Sequence, residues 1–276
     1  MPSRLFVARS RMPAPSEEVF AWHARPGALE RLIPPWTRVE VVERTGGIED
    51  GARVVLRVYA GPLPQRWVAV HRGLVPGRQF EDEQVEGPFA SWRHTHRIEP
   101  DGAEALLEDR IEYALPGGWL GDLLGRAHAE ASLRRIFAYR HAVTRGDLER
   151  HLHGGPMRAL TIGITGAGGL VGSRLVPFLT AGGHRVRRFV RRAPRDAAEI
   201  GWDPASGSLD PGALDGLDAV IHLSGESVAG GRWTAESKDR ILRSRVDSTR
   251  LLAKSIARAV RPPRVLVCAS APDASG

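Results

Sequence analysis

Residues Ala159–Leu179, ALTIGITGAGGLVGSRLVPFL, decide the fold of the second half of this 276-residue chain. Leu160 to Thr165 reads as a buried strand, the glycines after it as a turn, and the residues after the glycines as a helix. A diphosphate needs backbone N–H groups aimed at it and no side chain in the way, and a helix N-terminus supplies donors and a favourable dipole. The spacing Gly166-x-x-Gly169-x-x-Gly172 meets that need. Gly166 permits the tight turn, Gly169 lets the backbone approach the phosphates, and Gly172 lets the helix pack on the strand. Thr165, Leu170 and Val171 complete the candidate cofactor-binding loop. A second strand follows at GHRVRRFVRR (183–192), which is the context the fingerprint requires, so the stretch predicts a dinucleotide site. Pro177 falls inside the first helix and predicts a kink.

The end of that second strand discriminates between cofactors. An NAD site places Asp or Glu there, about 20 residues past the loop, to bind the adenosine ribose. This chain has Arg191 and Arg192 instead, and guanidinium pairs with a 2′-phosphate that a carboxylate would repel. NADP(H) is therefore expected over NAD(H). Downstream, DAVIHLSGE (218–226) reads as a buried strand ending at Ser224 and Gly225, where the backbone could pass close to a cofactor ribose. Thr234 is the expected N-cap of a long helix over 233–260, and RVLVCASA (264–271) is another strand.

A loop that normally opens a domain sits here in the middle because another domain precedes it. At this length two cores are the default. Gly154, Gly155 and Pro156 break the chain, giving expected bounds of 1–150 for the first domain, 151–157 for a linker and 158–276 for the second. In the first half SRLFVARS (3–10) is an alternating strand, and Ser16 is the expected cap of two short helices broken at Pro26 and Gly27. Six further strands follow, within residues 38–115, and then a helix from about Leu120 to Arg150.

Strand parity indicates what faces inward. Trp92, His94, His96 and Ile98 share one side, with Arg93, Thr95 and Arg97 on the wet one. On the next strand Leu107, Asp109, Ile111, Tyr113 and Leu115 form the apolar side. A hairpin turning at Asp101-Gly102 sets His94 opposite Asp109. Trp92, His94, His96, Asp109 and Tyr113 are the candidate ligand pocket, with the His–Asp pair either gripping a polar ligand head or fixing strand register.

Composition excludes several classes. The net charge of +7 belongs to the second half, since residues 1–155 carry 21 Arg, no Lys and 21 acidic residues. With 37 Arg among 39 basic residues, no aromatic interleaving and no reader motif, no nucleic-acid partner is expected. Nothing reads as a membrane span or a secretion signal, and the single Cys268 forms no internal disulfide, so a cytoplasmic location is expected. No metal site is expected either, His151 and His153 reading as linker residues.

With EGPFASWRHTHRIEP (86–100) and LEDRIEYALPGG (107–118), the element order resembles the SRPBCC (START-like, helix-grip) superfamily over about residues 3 to 150. The resemblance implies an α+β domain whose antiparallel sheet curves around its last helix to hold an apolar or amphipathic ligand. From residue 157 on, TGAGGLVG, DAVIHLSGE, RWTAESKDRILRSRV and LVCASA resemble the extended short-chain dehydrogenase/reductase class, nearest its NAD(P)-dependent epimerase/dehydratase-like branch. That implies an α/β Rossmann-type domain with a doubly wound parallel sheet, and implies for Ser270 a role in polarising a substrate carbonyl. The class also pairs Tyr-x-x-x-Lys, the lysine lowering the phenol pKa. Four residues beyond Tyr59, Tyr113 and Tyr139 stand Leu63, Gly117 and Val143, so the pair is absent. The expectation is an incomplete Rossmann domain with an exposed sheet edge that a partner could cover. The two functional expectations are an NADP(H)-binding oxidoreductase or epimerase-like protein, catalytically incomplete as given, and a non-catalytic binder of apolar ligands with a vestigial nucleotide domain.

Overall fold

A computed structural model describes residues 3–60, 63–153, 158–227 and 233–269. The chain divides into two compact units, Met1–Met157 and Arg158–Gly276. None of the described helices is long and apolar enough to cross a membrane.

The first unit runs β1 (Arg4–Met12), α1 (Ser16–Ala24), α2 (Ala28–Leu32), β2 (Val39–Thr45), β3 (Arg53–Ala60), β4 (Leu63–Val75), β5 (Gln79–Glu86), β6 (Ser91–Asp101), β7 (Glu104–Ala114) and α3 (Gly118–Leu152). Its sheet is antiparallel in the order β1-β7-β6-β5-β4-β3-β2, so the first strand closes against the last. The break between α1 and α2 falls at Gly27, whose φ of 95° is left-handed and suits glycine. α3 buries Leu133, Phe137, His141, Thr144 and Leu148, a stripe at helical spacing. Phe137 and Leu133 pack against Trp92, Ile111 and Tyr113 of the sheet. The buried Asp147 of α3 accepts from Nε and Nη2 of Arg31 at 2.7 and 2.6 Å, which ties α2 to the long helix.

Two sequence expectations for this unit change. Ser16 does not cap α1. Pro15 occupies the cap position without a side-chain hydrogen bond, and Ser16 is the first helical residue, buried. The β6–β7 hairpin turns one residue later than expected, so His94 faces Ile111 and His96 faces Asp109. Gly102, with φ 67°, takes the left-handed position in the turn itself. Because the register moves by two residues, every side chain keeps its face, and the inward set survives the error.

The second unit runs β8 (Thr161–Thr165), α4 (Gly172–Ala181), β9 (Arg185–Val190), β10 (Glu199–Gly201), a single 3-10 turn, β11 (Ala219–His222), α5 (Ala235–Arg258) and β12 (Val265–Cys268). All its strands are parallel, in the order β10-β9-β8-β11-β12. This is a doubly wound sheet whose strand order reverses between β8 and β11. Ile162 and Ile164 pack with Leu175, Val176 and Phe178 of α4 on one face. Val220 and Phe189 pack with Leu252 of α5 on the other. Gly163 belongs to that second face, where a Cβ would lie 2.8 Å from the Phe189 ring. α4 remains one helix through the buried Pro177. Thr234 caps α5 by accepting the Ser237 N–H at 3.2 Å. At the β12 edge Val265 and Val267 are about half exposed, at 51% and 49%.

Candidate functional sites

Between the first unit's sheet and its helices lies a cavity of about 250 Å³. Leu29 and Leu32 of α2, Leu133, Ile136 and Phe137 of α3, and Trp67, Phe80 and Trp92 of the sheet give it an apolar wall. One side of that wall is polar. His94 and His96 point inward as parity predicts, and Asp82, from the neighbouring β5, joins them. Asp82 Oδ2 lies 2.9 Å from His94 Nδ1 and 3.6 Å from His96 Nε2, while its Oδ1 accepts the Trp92 indole N–H at 3.3 Å.

Asp109 stands behind the two histidines, off the cavity. His94 Nε2 donates to its Oδ1 at 2.8 Å and His141 Nε2 donates to its Oδ2 at 2.6 Å. His96 Nδ1 is 2.7 Å from the same Oδ1, yet it lacks hydrogen-bond alignment and counts among the buried atoms without a partner. His141 Nδ1 reaches Ser10 Oγ at 2.8 Å. Burial opposes the charged form of His94, but Asp82 and Asp109 outweigh it and raise its pKa to about 9. Burial likewise acts to raise both carboxylates. The imidazoles prevail, His94 and His96 at Asp82 and His96, His141 and His94 at Asp109, and hold both well below the usual range. His23 behaves oppositely, since burial, reinforced by His96, lowers it to about 4. Of the residues expected to form the pocket, Trp92, His94 and His96 line the cavity. Tyr113 does not, because it is packed into the core beside Phe89 and Ile111.

Asp82, His141, His23 and His71 were not foreseen. Asp82 carried a signal, since it alternates with the buried Phe80 inside the acidic run Glu81-Asp82-Glu83. His141 carried another, four residues past Phe137 on the buried stripe of α3.

In the second unit a cleft opens at the C-terminal ends of the strands, beside the reversal point between β8 and β11. Gly166, Ala167, Gly168 and Gly169 line it, together with Arg191, Arg192, Ser224 and Gly225. Gly166 has φ 66°, and a Cβ there would lie 2.9 Å from the Leu223 carbonyl carbon. At Gly172 a Cβ would lie 2.2 Å from the Gly166 oxygen, so helix and loop touch only because neither carries a side chain. Gly168, by contrast, faces open space. A dinucleotide fits this cradle, because the loop offers main chain and, beyond the Ala167 methyl, no side chain to the cleft.

Not every residue expected in the cofactor site reaches it. Leu170 and Val171 are exposed, at 91% and 59%, and do not line the cleft. Gly172 is buried under the loop. Thr165 is fully buried and works from beneath, where its Oγ1 accepts the Leu223 and Ser224 N–H groups, both at 3.1 Å. Its hydroxyl proton then goes to His222 Nδ1 at 2.7 Å. His222 Nε2 donates to Ser248 Oγ at 2.9 Å, and Ser248 passes its proton to the Ser244 carbonyl. Burial, aided by Arg245, lowers the His222 pKa, and the chain of donors fits the neutral ring. Sequence reading missed this relay, which pins β8, β11 and α5 beneath the cleft.

Arg192 is already engaged. It grips Glu199 of β10 through two nitrogens, at 2.6 and 2.7 Å. The guanidinium and the Arg195 N–H together hold the Glu199 carboxyl down at about 2. Arg191 has no such pair among the described residues. Gly225 lies against the Arg245 guanidinium, where a Cβ would sit 3.1 Å from its carbon. Ser270 lies outside the described residues.

Known proteins reproduce this division. Residues 12–137 match a family model described as polyketide cyclase/dehydrase and lipid transport, and residues 162–274 match the NAD dependent epimerase/dehydratase family. An epimerase family protein of Mycobacterium bovis is 41% identical over 101 residues, covering 37% of this chain and 34% of the relative. One from Bacillus subtilis is 33% identical over 116 residues, covering 41% and 38%. The chain thus spans little more than a third of the length of these curated relatives. The crystal structure of a nucleoside-diphosphate sugar epimerase from Corynebacterium glutamicum matches with a TM-score of 0.76 at 30% identity, over 96% of this chain and 54% of that one. The parallel sheet with its glycine turn and the helix-grip cavity therefore have one explanation: the chain joins a polyketide cyclase/START-like domain to a domain of the NAD-dependent epimerase/dehydratase family.

Proposed function

We propose that the second unit binds NADP(H) in the cleft at the C-terminal ends of β8 and β11 and serves oxidoreductase or epimerase-type chemistry, while the first unit holds an apolar or amphipathic small molecule. One observation carries the cofactor reading: a turn with no side chain larger than the Ala167 methyl, Gly166 to Gly169, lines a cleft whose rim carries Arg191. When bound, a nicotinamide cofactor supplies hydride transfer. The chain's own part is to hold it, the loop amides facing the diphosphate and Arg191 facing the adenosine 2′-phosphate. Arg192 braces the rim through Glu199. The name of the Corynebacterium neighbour makes a sugar nucleotide the first substrate class to assay. Ser270 is the candidate for polarising a carbonyl, and no Tyr-x-x-x-Lys pair stands within these 276 residues. On this reading these residues bind without completing that acid–base step.

Titration with NADPH and NADH tests it. A hydrogen bond to a charged group contributes about 1.5–3 kcal/mol, so NADPH should bind at least about tenfold tighter than NADH. Equal affinities would defeat the NADP(H) preference, and no binding of either would defeat cofactor use. The second reading, an apolar-ligand carrier, draws on the 250 Å³ cavity. It predicts that an apolar dye binds the first unit whether or not NADPH is present.

A further inference from the structure

We propose that Asp82, His94 and His96 form a binding site for one divalent first-row transition metal ion in the cavity wall of the first unit. This departs from the sequence expectation of no metal site. It also stands apart from the cofactor reading, since it concerns the other domain.

Each of the three residues offers one ligand atom, and those atoms lie within 4.8 Å of one another. Tetrahedral ligation at ordinary Zn–N and Zn–O bond lengths sets donor atoms about 3.3 Å apart. Asp82 Oδ2 is 2.9 Å from His94 Nδ1 and 3.6 Å from His96 Nε2, values on either side of that spacing. The outer arrangement is also that of a metal centre. A ligating histidine commonly gives its far nitrogen to a carboxylate, which fixes the ring and its tautomer. Asp109 accepts from the far nitrogen of His94, Nε2, at 2.8 Å, and lies 2.7 Å from the far nitrogen of His96, Nδ1, without hydrogen-bond alignment. Asp109 is itself fixed from behind by His141 at 2.6 Å. Two histidines and a carboxylate leave coordination positions open, as catalytic rather than structural sites do. All three residues line the cavity, so an oxygen atom of a bound small molecule can reach such a position. His71, also on the cavity wall, has a buried Nδ1 without a hydrogen-bond partner. Three arginines also line the cavity, Arg44, Arg53 and Arg140; Arg53 pairs with Glu43 at 3.5 Å, and Arg140 donates its Nε to the Leu32 carbonyl at 3.3 Å. The ion takes the place of the proton between His94 and Asp82, which leaves to solvent.

The test is calorimetric titration of the untagged, chelator-stripped full chain with Zn²⁺, repeated with Co²⁺ to record its visible absorption. One ion per chain is expected, with a Co²⁺ spectrum of low coordination number. Asp82→Asn and His96→Gln should each weaken binding at least about tenfold, while His153→Gln leaves it unchanged. Should those variants unfold, as judged by circular dichroism, the wild-type imidazole NMR signals decide: Zn²⁺ must move those of His94 and His96. Absence of binding, or binding that His153→Gln removes and the cavity variants do not, would overturn the site.

Discussion

In the first unit the polar groups of the site are side chains from four elements, β5, β6, β7 and α3, all drawn into an apolar interior. In the second they are main-chain groups of a single turn, set in a cleft with an exposed rim. A buried charge is costly unless paired, so the first site is constrained chiefly by mutual neutralisation. A backbone cradle carries no net charge, and its constraint is steric: it tolerates no Cβ where loop, strand and helix meet. The two sites should therefore fail under different perturbations.

Loss of the shared carboxylate should produce the largest difference. Asp109→Ala leaves the Nε2 atoms of His94 and His141 without their acceptor, and breaking a buried charged network costs about 3–5 kcal/mol. Urea denaturation should show that loss, with NADPH binding retained by whatever fraction stays folded. A variant as stable as the parent would mean that the cluster is wet and weakly coupled, contrary to its burial.

Acid gives the next largest effect. His23 holds a pKa of about 4 in the folded chain against 6.5 for the free side chain, and donates from Nδ1 to the Val19 carbonyl at 2.8 Å. Between those values the unfolded chain binds the extra proton, so stability rises with pH from about 4 to 6.5 and is lost as pH falls through that window. The size is on the order of 3 kcal/mol. His23→Gln should flatten the slope in denaturation series run from pH 4 to 7. An unchanged slope would assign the acid sensitivity to other groups.

How much of each site was legible follows from the same contrast. The cradle is written in consecutive residues, 165 to 172, so spacing alone gave its turn, its strand and its helix. Spacing could not reveal that Arg192 would be taken by Glu199, because that pair depends on β10 lying beside β9. In the first unit, parity placed Trp92, His94, His96 and Asp109 inward, and a misplaced turn did no harm because the shift was even. Asp82 and His141 join the cluster through tertiary packing, which a local pattern does not encode, although each sat on a readable buried face.

The steric claim for the second site separates two neighbouring glycines. Gly172→Ala forces a Cβ to within 2.2 Å of the Gly166 oxygen, and such overpacking costs about 1–3 kcal/mol. Gly168→Ala meets nothing within 4 Å, so its stability should stay within about 0.5 kcal/mol of the parent. It should still weaken NADPH, because Gly168 lines the cleft. If both variants were equally stable and bound NADPH equally well, main-chain contact would not be what the loop provides.

The smallest effect distinguishes the two arginines at the rim. Arg191 and Arg192 are adjacent in sequence and equivalent to any reading of composition, yet among the described residues only Arg192 forms a salt bridge, with Glu199 through two nitrogens at 2.6 and 2.7 Å. A guanidinium committed to Glu199 must give up part of that pairing to meet a phosphate, whereas Arg191, whose charge acts on Asp203 without a salt bridge, gives up less. Arg191→Ala should therefore lower NADPH affinity by about tenfold and leave NADH unchanged, while Arg192→Ala shifts both by a similar, smaller factor through the loosened rim. The ratio of NADPH to NADH affinity, rather than either value, reads out the difference. If Arg192→Ala collapsed that ratio and Arg191→Ala did not, Glu199 would be positioning Arg192 for the phosphate rather than withholding it.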